Sequence, residues 1–273
     1  MEKQVLLIND LTGYGKVSLA AMFPVLSHMG HQIYNLPTAL VSNTLDYGKF
    51  DILETTDYMK NTIDVWGELG FSFDAISTGF IVSDRQAQLV ADYCKKQAKK
   101  GTLIFTDPIM GDEGVLYNGV SEETVSHMRK LISIADYIVP NYTEACYLAD
   151  IPYRPDGMDA AEATALIDAL RAIGSKSVII TSAKLDGQDA VIGYDHEKGE
   201  YFTIPFSLIP VRFAGTGDLF SAIFMGKVLA GLPMQDATKK SMDIVRQMIL
   251  KFRENEDKFK GIPIETCLEV LNQ

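Results

Sequence analysis

Apolar and polar positions along the chain fall into short runs and longer periodic stretches that take turns. Nearly unbroken apolar or β-branched runs occupy 5–9, 33–42, 75–80, 102–107, 137–140 and 177–182. Several of these runs show no polar alternation, as expected of parallel strands covered on both faces. Between them apolar residues return every three or four positions, as over 17–30, 84–100 and 159–174. In the last stretch Ala161, Ala165, Leu166, Ala169, Leu170 and Ile173 share helical spacing. This order predicts a doubly wound α/β sheet. Pro37 is expected to break the second run, and Pro24 to kink or restart the first helix. The runs 189–195 and 200–206, separated by "HEKG", predict an antiparallel hairpin near the sheet edge. "PYRPDG" (152–157) reads as a loop after which the alternation resumes, so residues 1–273 are read as one domain.

Composition narrows the partners. Hydrophobic residues make up 47% of the chain, enough for a sizeable core. With 25 basic against 36 acidic side chains the net charge is −11. No basic stripe is available for phosphates, so neither nucleic acid nor a membrane surface is an expected partner. Cys94, Cys146 and Cys267 are odd in number and far apart, which predicts reduced, buried or half-buried thiols rather than disulfides or a zinc site. His28, His31, His127 and His196 have no ligand spacing either. The apolar start "VLLIN" is too short for a signal peptide or a membrane span, and a cytoplasmic protein is expected.

Ligands of such sheets bind beyond the carboxyl ends of the strands. The first strand leads into "NDLTGYGKVS" (9–18), whose Gly13-x-Gly15-x-x-Ser18 half-matches a dinucleotide fingerprint but lacks the third glycine. A glycine-rich turn admitting a small ligand to the backbone is the expectation there. "TDPIMGDEG" (106–114) offers Asp107 and Asp112, two carboxylates that suit Mg²⁺ or form a solvated acidic turn. In "VPNYTEACYL" (139–148), Asn141 ends a strand and Glu144 falls in the first turn of a helix. The helix dipole favours a carboxylate at that point with or without a ligand. Thr181, Ser182 and Lys184 in "ITSAKLDGQ" can touch phosphate or ribose, or form a polar turn.

"RFAGTGDLFSAI" (212–223) carries the sharpest signal. Gly215 and Gly217 leave backbone N–H groups bare at the start of an apolar helix, a site for an anion. Asp218 is either the cap of an ordinary helix or a base beside that anion.

In chain order, "TDPIMGD", "PNYTE", "IITS" and "AGTGDLFSA" resemble the ribokinase-like superfamily and, within it, the vitamin B6 (pyridoxal/pyridoxamine) kinases. The segment 23–50, with its "SN…YGK", and "STGF" (77–80) are similar to the same branch, and the likeness spans roughly residues 5 to 250. The resemblance implies a three-layer α/β/α sandwich with a mostly parallel central sheet, commonly a homodimer. It implies Asp218 as catalytic base, with Gly215, Thr216 and Gly217 as the anion hole. Asp107, Asn141, Thr181, Ser182 and Thr216 would meet ATP, and Asp107, Asp112 and Glu144 would organise Mg²⁺. A monovalent cation such as K⁺ is a further option. The acceptor pocket would hold Asn9, Asp10, Val41, Leu45 and Phe80. There the chain departs from the family: Asn9-Asp10 replace Ser-His, Thr44-Leu45 replace His-Thr, and Phe80 replaces Tyr. Asn9 can still donate to and accept from a ring substituent, and Asp10 would favour a cationic amine, hence pyridoxamine. The implied activity is ATP-dependent phosphorylation of the hydroxymethyl group of a B6 vitamer. The alternatives are a hydroxymethylpyrimidine kinase and a non-catalytic vitamer- or nucleotide-binding protein.

Overall fold

Val5, Leu6, Leu7 and Ile8 are wholly buried, and for that reason their run shows no polar alternation. They lie in the first strand of a computed structural model that describes residues 2–272. In chain order the elements begin with β1 (Gln4–Tyr14), α1 (Ser18–His28), β2 (Gln32–Asn43), β3 (Ile52–Glu54), α2 (Thr56–Leu69) and β4 (Ala75–Thr78). Next come α3 (Asp84–Ala98), β5 (Leu103–Thr106), β6 (Gly111–Asp112), β7 (Val115–Leu116), α4 (Glu123–Ile132) and β8 (Tyr137–Ile138). The remainder are α5 (Tyr142–Ala149), α6 (Ala160–Ile173), β9 (Ser177–Leu185), β10 (Gln188–Asp195), β11 (Glu200–Pro205), α7 (Thr216–Leu229) and α8 (Met234–Phe252).

The chain divides into two compact units. One takes the residues up to Ser77 and those from Ile209 onward; the other is Thr78–Leu208. Strand order in the first is β4-β1-β2-β3, with β1 and β2 parallel and the short β3 antiparallel. Order in the second is β11-β10-β9-β8-β5. There β5, β8 and β9 pair in parallel, and β9, β10 and β11 pair antiparallel. The expected alternation and the hairpin at 189–206 are both present, and Cys94, Cys146 and Cys267 are buried free thiols. No helix among the described residues is long and apolar enough to cross a membrane.

Four local expectations need correction. Pro37 does not break β2. It pairs with Asn9, after which β2 advances to Leu40 while β1 advances only to Leu11. That bulge takes up a residue with no N–H to give the ladder. Pro24 does not restart α1, which runs through it as one helix whose Ala21, Met22, Val25 and Leu26 are buried. Burial of that apolar face outweighs the lost backbone hydrogen bond. The glycine-rich "turn" after residue 9 is strand as far as Tyr14; the chain leaves it at Gly15, where φ is 141° and a Cβ would lie 2.4 Å from Thr44 Cγ2. Lastly, β9 continues past 182 to Leu185, so Lys184 is a strand residue. Asp186 and Gly187, with φ of 49° and 80°, make the tight turn that returns the chain as β10.

Candidate active site

The first unit holds the glycine-rich turn. Gly215 is the N-cap of α7, with φ at 80°, and Thr216, Gly217 and Asp218 form the first turn. Asp218 is therefore inside the helix rather than its cap. Its carboxylate is buried, at 9% exposure. The two glycines serve different ends. A Cβ on Gly215 would lie 2.2 Å from the carbonyl oxygen of Lys16, so the fold itself demands glycine there. A Cβ on Gly217 would meet nothing within 4 Å. Glycine in a helical turn costs about 1 kcal/mol relative to alanine, and no protein neighbour accounts for that cost. Open space beside free N–H groups at a helix start is suited to an anion.

Further residues of the first unit line one face of β1 and β2. Asp10 and Thr12 alternate onto the same side, and Thr12 pairs with Val41; all three are buried. The opposite side shows Leu11 paired with Leu40, both exposed. Asn9 is buried and its side-chain oxygen accepts from the Asp10 N–H at 3.0 Å. Leu45 is half-buried in a short 3-10 turn, Leu45–Tyr47. Thr44, standing where the family carries histidine, donates its hydroxyl to the Phe259 carbonyl at 2.8 Å and is buried. Its hydroxyl is thus spent on the chain's own backbone.

In the second unit α5 acts as a bracket for the β6–β7 ribbon. Asn141 and Glu144 form a reciprocal cap: Glu144 N–H donates to Asn141 Oδ1 at 2.9 Å, and Asn141 N–H donates to Glu144 Oε2 at 2.8 Å. The other carboxylate oxygen, Oε1, accepts from Met110 N–H at 3.0 Å, while Asn141 Nδ2 donates to the Gly111 carbonyl at 2.8 Å. In the same turn, Thr143 Oγ1 accepts from Gly114 N–H at 2.9 Å. Asp112 is carried by the strand so held and accepts the Glu113 N–H at 2.9 Å. Asn141 also bridges to Thr181 on β9, and Ser182 beside it is exposed with φ at 53°. Phe80 is buried at 8% exposure just beyond β4.

Electrostatics single out Glu144. Burial pushes its carboxyl well above the usual carboxylate range, and the charge of Asp107 pushes it further, against backbone N–H donors at Asn141, Met110 and Gly111. Repulsion between the buried Glu144 and the half-buried Asp107 is of the kind a hard divalent cation would relieve. No group of three or more His, Cys, Asp or Glu among the described residues could by itself hold a metal ion. A pair of carboxylates is the kind of donor set that Mg²⁺ shares with water and phosphate.

Comparison with known proteins decides the family. The model of the phosphomethylpyrimidine kinase family matches residues 24–260. A pyridoxal kinase of Arabidopsis thaliana is 31% identical over 233 residues, which is 82% of this chain and 73% of that protein. This chain belongs to the phosphomethylpyrimidine and pyridoxal kinase family. A Bacteroides thetaiotaomicron protein, provisionally termed a phosphomethylpyrimidine kinase and crystallised in a form with pyridoxal, is similar at 35% identity and a TM-score of 0.94. That match covers 100% of this chain and 96% of the other. The pyridoxal kinase of Lactobacillus plantarum matches with a TM-score of 0.88 and 26% identity over 98% of this chain and 96% of the other. The protein is thus a kinase with the ribokinase-like α/β fold, and the reading as a non-catalytic binder falls away.

Thr143 lies inside the "PNYTE" motif, but nothing in the sequence marks it as an acceptor; its partner Gly114 is marked only by the "DEG" turn. Thr143→Val keeps the shape and removes the acceptor for Gly114 N–H. Losing one such bond costs about 0.5–1.5 kcal/mol, so the melting temperature should fall by a few degrees. The Mg²⁺ concentration for half-maximal turnover should rise several-fold, with Thr143→Ser restoring both; an unchanged Mg²⁺ titration would remove Thr143 from the ribbon's support.

Proposed function

We propose that this kinase transfers the γ-phosphoryl group of ATP to the 5′-hydroxymethyl group of a vitamin B6 vitamer, with Asp218 as general base. The observation that carries the reading is the start of α7, where a buried carboxylate stands in a turn whose Gly217 no protein neighbour requires. Asp218 accepts the hydroxyl proton as the oxygen attacks phosphorus. The N–H groups of residues 215–218 stabilise charge on the transferring phosphoryl, so catalysis is positioning plus electrostatics. Asp107, Asn141, Thr181, Ser182 and Thr216 bind the nucleotide. Asp107 and Asp112, with Glu144 fixing the ribbon, would hold Mg²⁺, which when bound neutralises phosphate charge. Asn9, Asp10, Val41, Leu45 and Phe80 receive the ring.

The name of the Arabidopsis relative and the pyridoxal of the Bacteroides structure support a B6 vitamer as acceptor. The family resemblance also supports a single kinase domain working as a homodimer, with K⁺ as a further candidate cofactor. Three free buried thiols are in keeping with a cytoplasmic location. A second reading, a hydroxymethylpyrimidine kinase, is favoured by the family description and by Asn9-Asp10 at the position where B6 kinases carry Ser-His.

ADP release with Mg-ATP, measured for pyridoxal, pyridoxamine, pyridoxine and hydroxymethylpyrimidine, separates the two. Turnover of B6 vitamers above the pyrimidine, abolished by EDTA, is the expected result. A pyrimidine turned over well above every vitamer would replace this reading with the second.

A further inference from the structure

Asp10 is buried in β1, and its surroundings are incomplete in one respect. The carboxyl is only 6% exposed. Thr12 donates its hydroxyl to Oδ2 at 2.9 Å, the Ser18 hydroxyl is a second donor, and the residue's own N–H is turned to Asn9. Ser18 opens α1 with φ at 50°, a left-handed conformation that a non-glycine residue adopts at a cost. The preceding Val17 offers no side-chain cap. Polar donors are thus gathered around Asp10, one of them by backbone strain. No cationic side chain among the described residues pairs with it. Buried carboxylates are ordinarily paired with a cation or lose their charge. Here burial pushes the carboxyl above its ordinary range, the hydroxyl donors opposing the rise.

We propose that Asp10 is a specificity-determining residue whose counter-charge is a protonated nitrogen of the substrate, the aminomethyl group or the ring nitrogen of a B6 vitamer. The proposal rests on the vitamer-kinase reading above. Three observations support it. The carboxyl shares its sheet face with Thr12 and Val41, whereas Leu11 and Leu40 take the outer face. It stands at the irregularity in the β1–β2 pairing between Asn9 and Leu11, just past the wholly buried run Val5–Ile8. Its hydrogen-bond donors are neutral hydroxyls, which orient a carboxylate without cancelling its charge. A site of this kind sacrifices some stability in the free protein and recovers it when the cationic ligand arrives.

The test compares wild type, Asp10→Asn and Asp10→Ser, with pyridoxamine and pyridoxine as acceptors and the melting temperature of each free protein at neutral pH. Asp10→Asn should lower kcat/KM by about 10- to 100-fold, the usual weight of a charge-assisted contact. A loss confined to pyridoxamine assigns the aminomethyl group; an equal loss with pyridoxine assigns the ring nitrogen. Both support the proposal. The free Asp10→Asn protein should melt higher than wild type, because a folded-state carboxyl raised above its unfolded value destabilises the fold once it ionises. Asp10→Ser, which also removes the charge, should show the same preference even if its packing is poorer. Wild-type turnover of both vitamers with unchanged kcat/KM in Asp10→Asn overturns the proposal and leaves the kinase reading intact. Wild-type silence on every vitamer overturns both.

Discussion

Asp218→Asn should lose about 10²–10⁴ in turnover while ATP binding survives, the range set by removing a general base. Asparagine keeps the size of the side chain and its place in the first turn of α7, but it cannot take the proton of the attacking hydroxyl. Asp218 is buried, and the residue that caps the helix is Gly215, so the carboxylate has no capping duty to explain it. A carboxylate placed beside free N–H groups weakens the attraction of that turn for phosphate. The dipole of α7 favours a carboxylate in its first turn, and taking the proton of the attacking hydroxyl would remove that charge during the reaction. The kinetic pattern should follow: kcat falls, and the calorimetric affinity for Mg-ATP stays within a few-fold of wild type. Turnover close to wild type would show that Asp218 is a structural residue and that the base is elsewhere.

Much of this was legible in the sequence, because the relevant signals are local. The apolar runs at 5–9 and 177–182 announce parallel strands, and burial of Val5–Ile8 and Val178–Ile180 bears that out. "PNYTE" announces a helix start, and the reciprocal cap of Asn141 and Glu144 is the hydrogen-bonded form of that signal. Local patterns misled where a partner from far along the chain decides the conformation. Gly13 and Gly15 read as a turn, yet β2 runs beside β1 as far as Asn43 and holds that segment extended. Pro37 read as a breaker, and the bulge opposite Asn9 absorbs it. The stretch 258–260 carried no motif at all. Its carbonyls nevertheless receive the N–H of Lys16, the hydroxyl of Thr44 and the N–H of Ala214, tying the end of β1 to the segment before Gly215. Backbone contacts of that kind leave no side-chain signature for a sequence reading to find.

The glycines of the turn give the second large effect, and they should respond in opposite directions. Gly215→Ala must hold a left-handed φ of 80° with a Cβ that would approach the Lys16 carbonyl to 2.2 Å. The conformation alone costs about 1–2 kcal/mol. The clash is with backbone, which cannot rotate away, so either the end of β1 or the start of α7 must move. A total loss of about 2–4 kcal/mol of stability is expected, with turnover reduced by at least about 10² because the anion-facing N–H groups shift with the helix. Gly217→Ala has open space around its Cβ and a φ outside the left-handed region. Alanine in that helical turn should raise stability by about 0.5–1 kcal/mol. It should still lower turnover, by about 10-fold or more, because the methyl group occupies the space left for the phosphoryl group. Thermal melts and steady-state rates on the same preparations read both effects. A Gly217→Ala enzyme that is more stable and fully active would mean that the phosphoryl group does not pass over Gly217. A variant that is more stable and slower would identify this glycine as one kept for its ligand, at a cost to the fold.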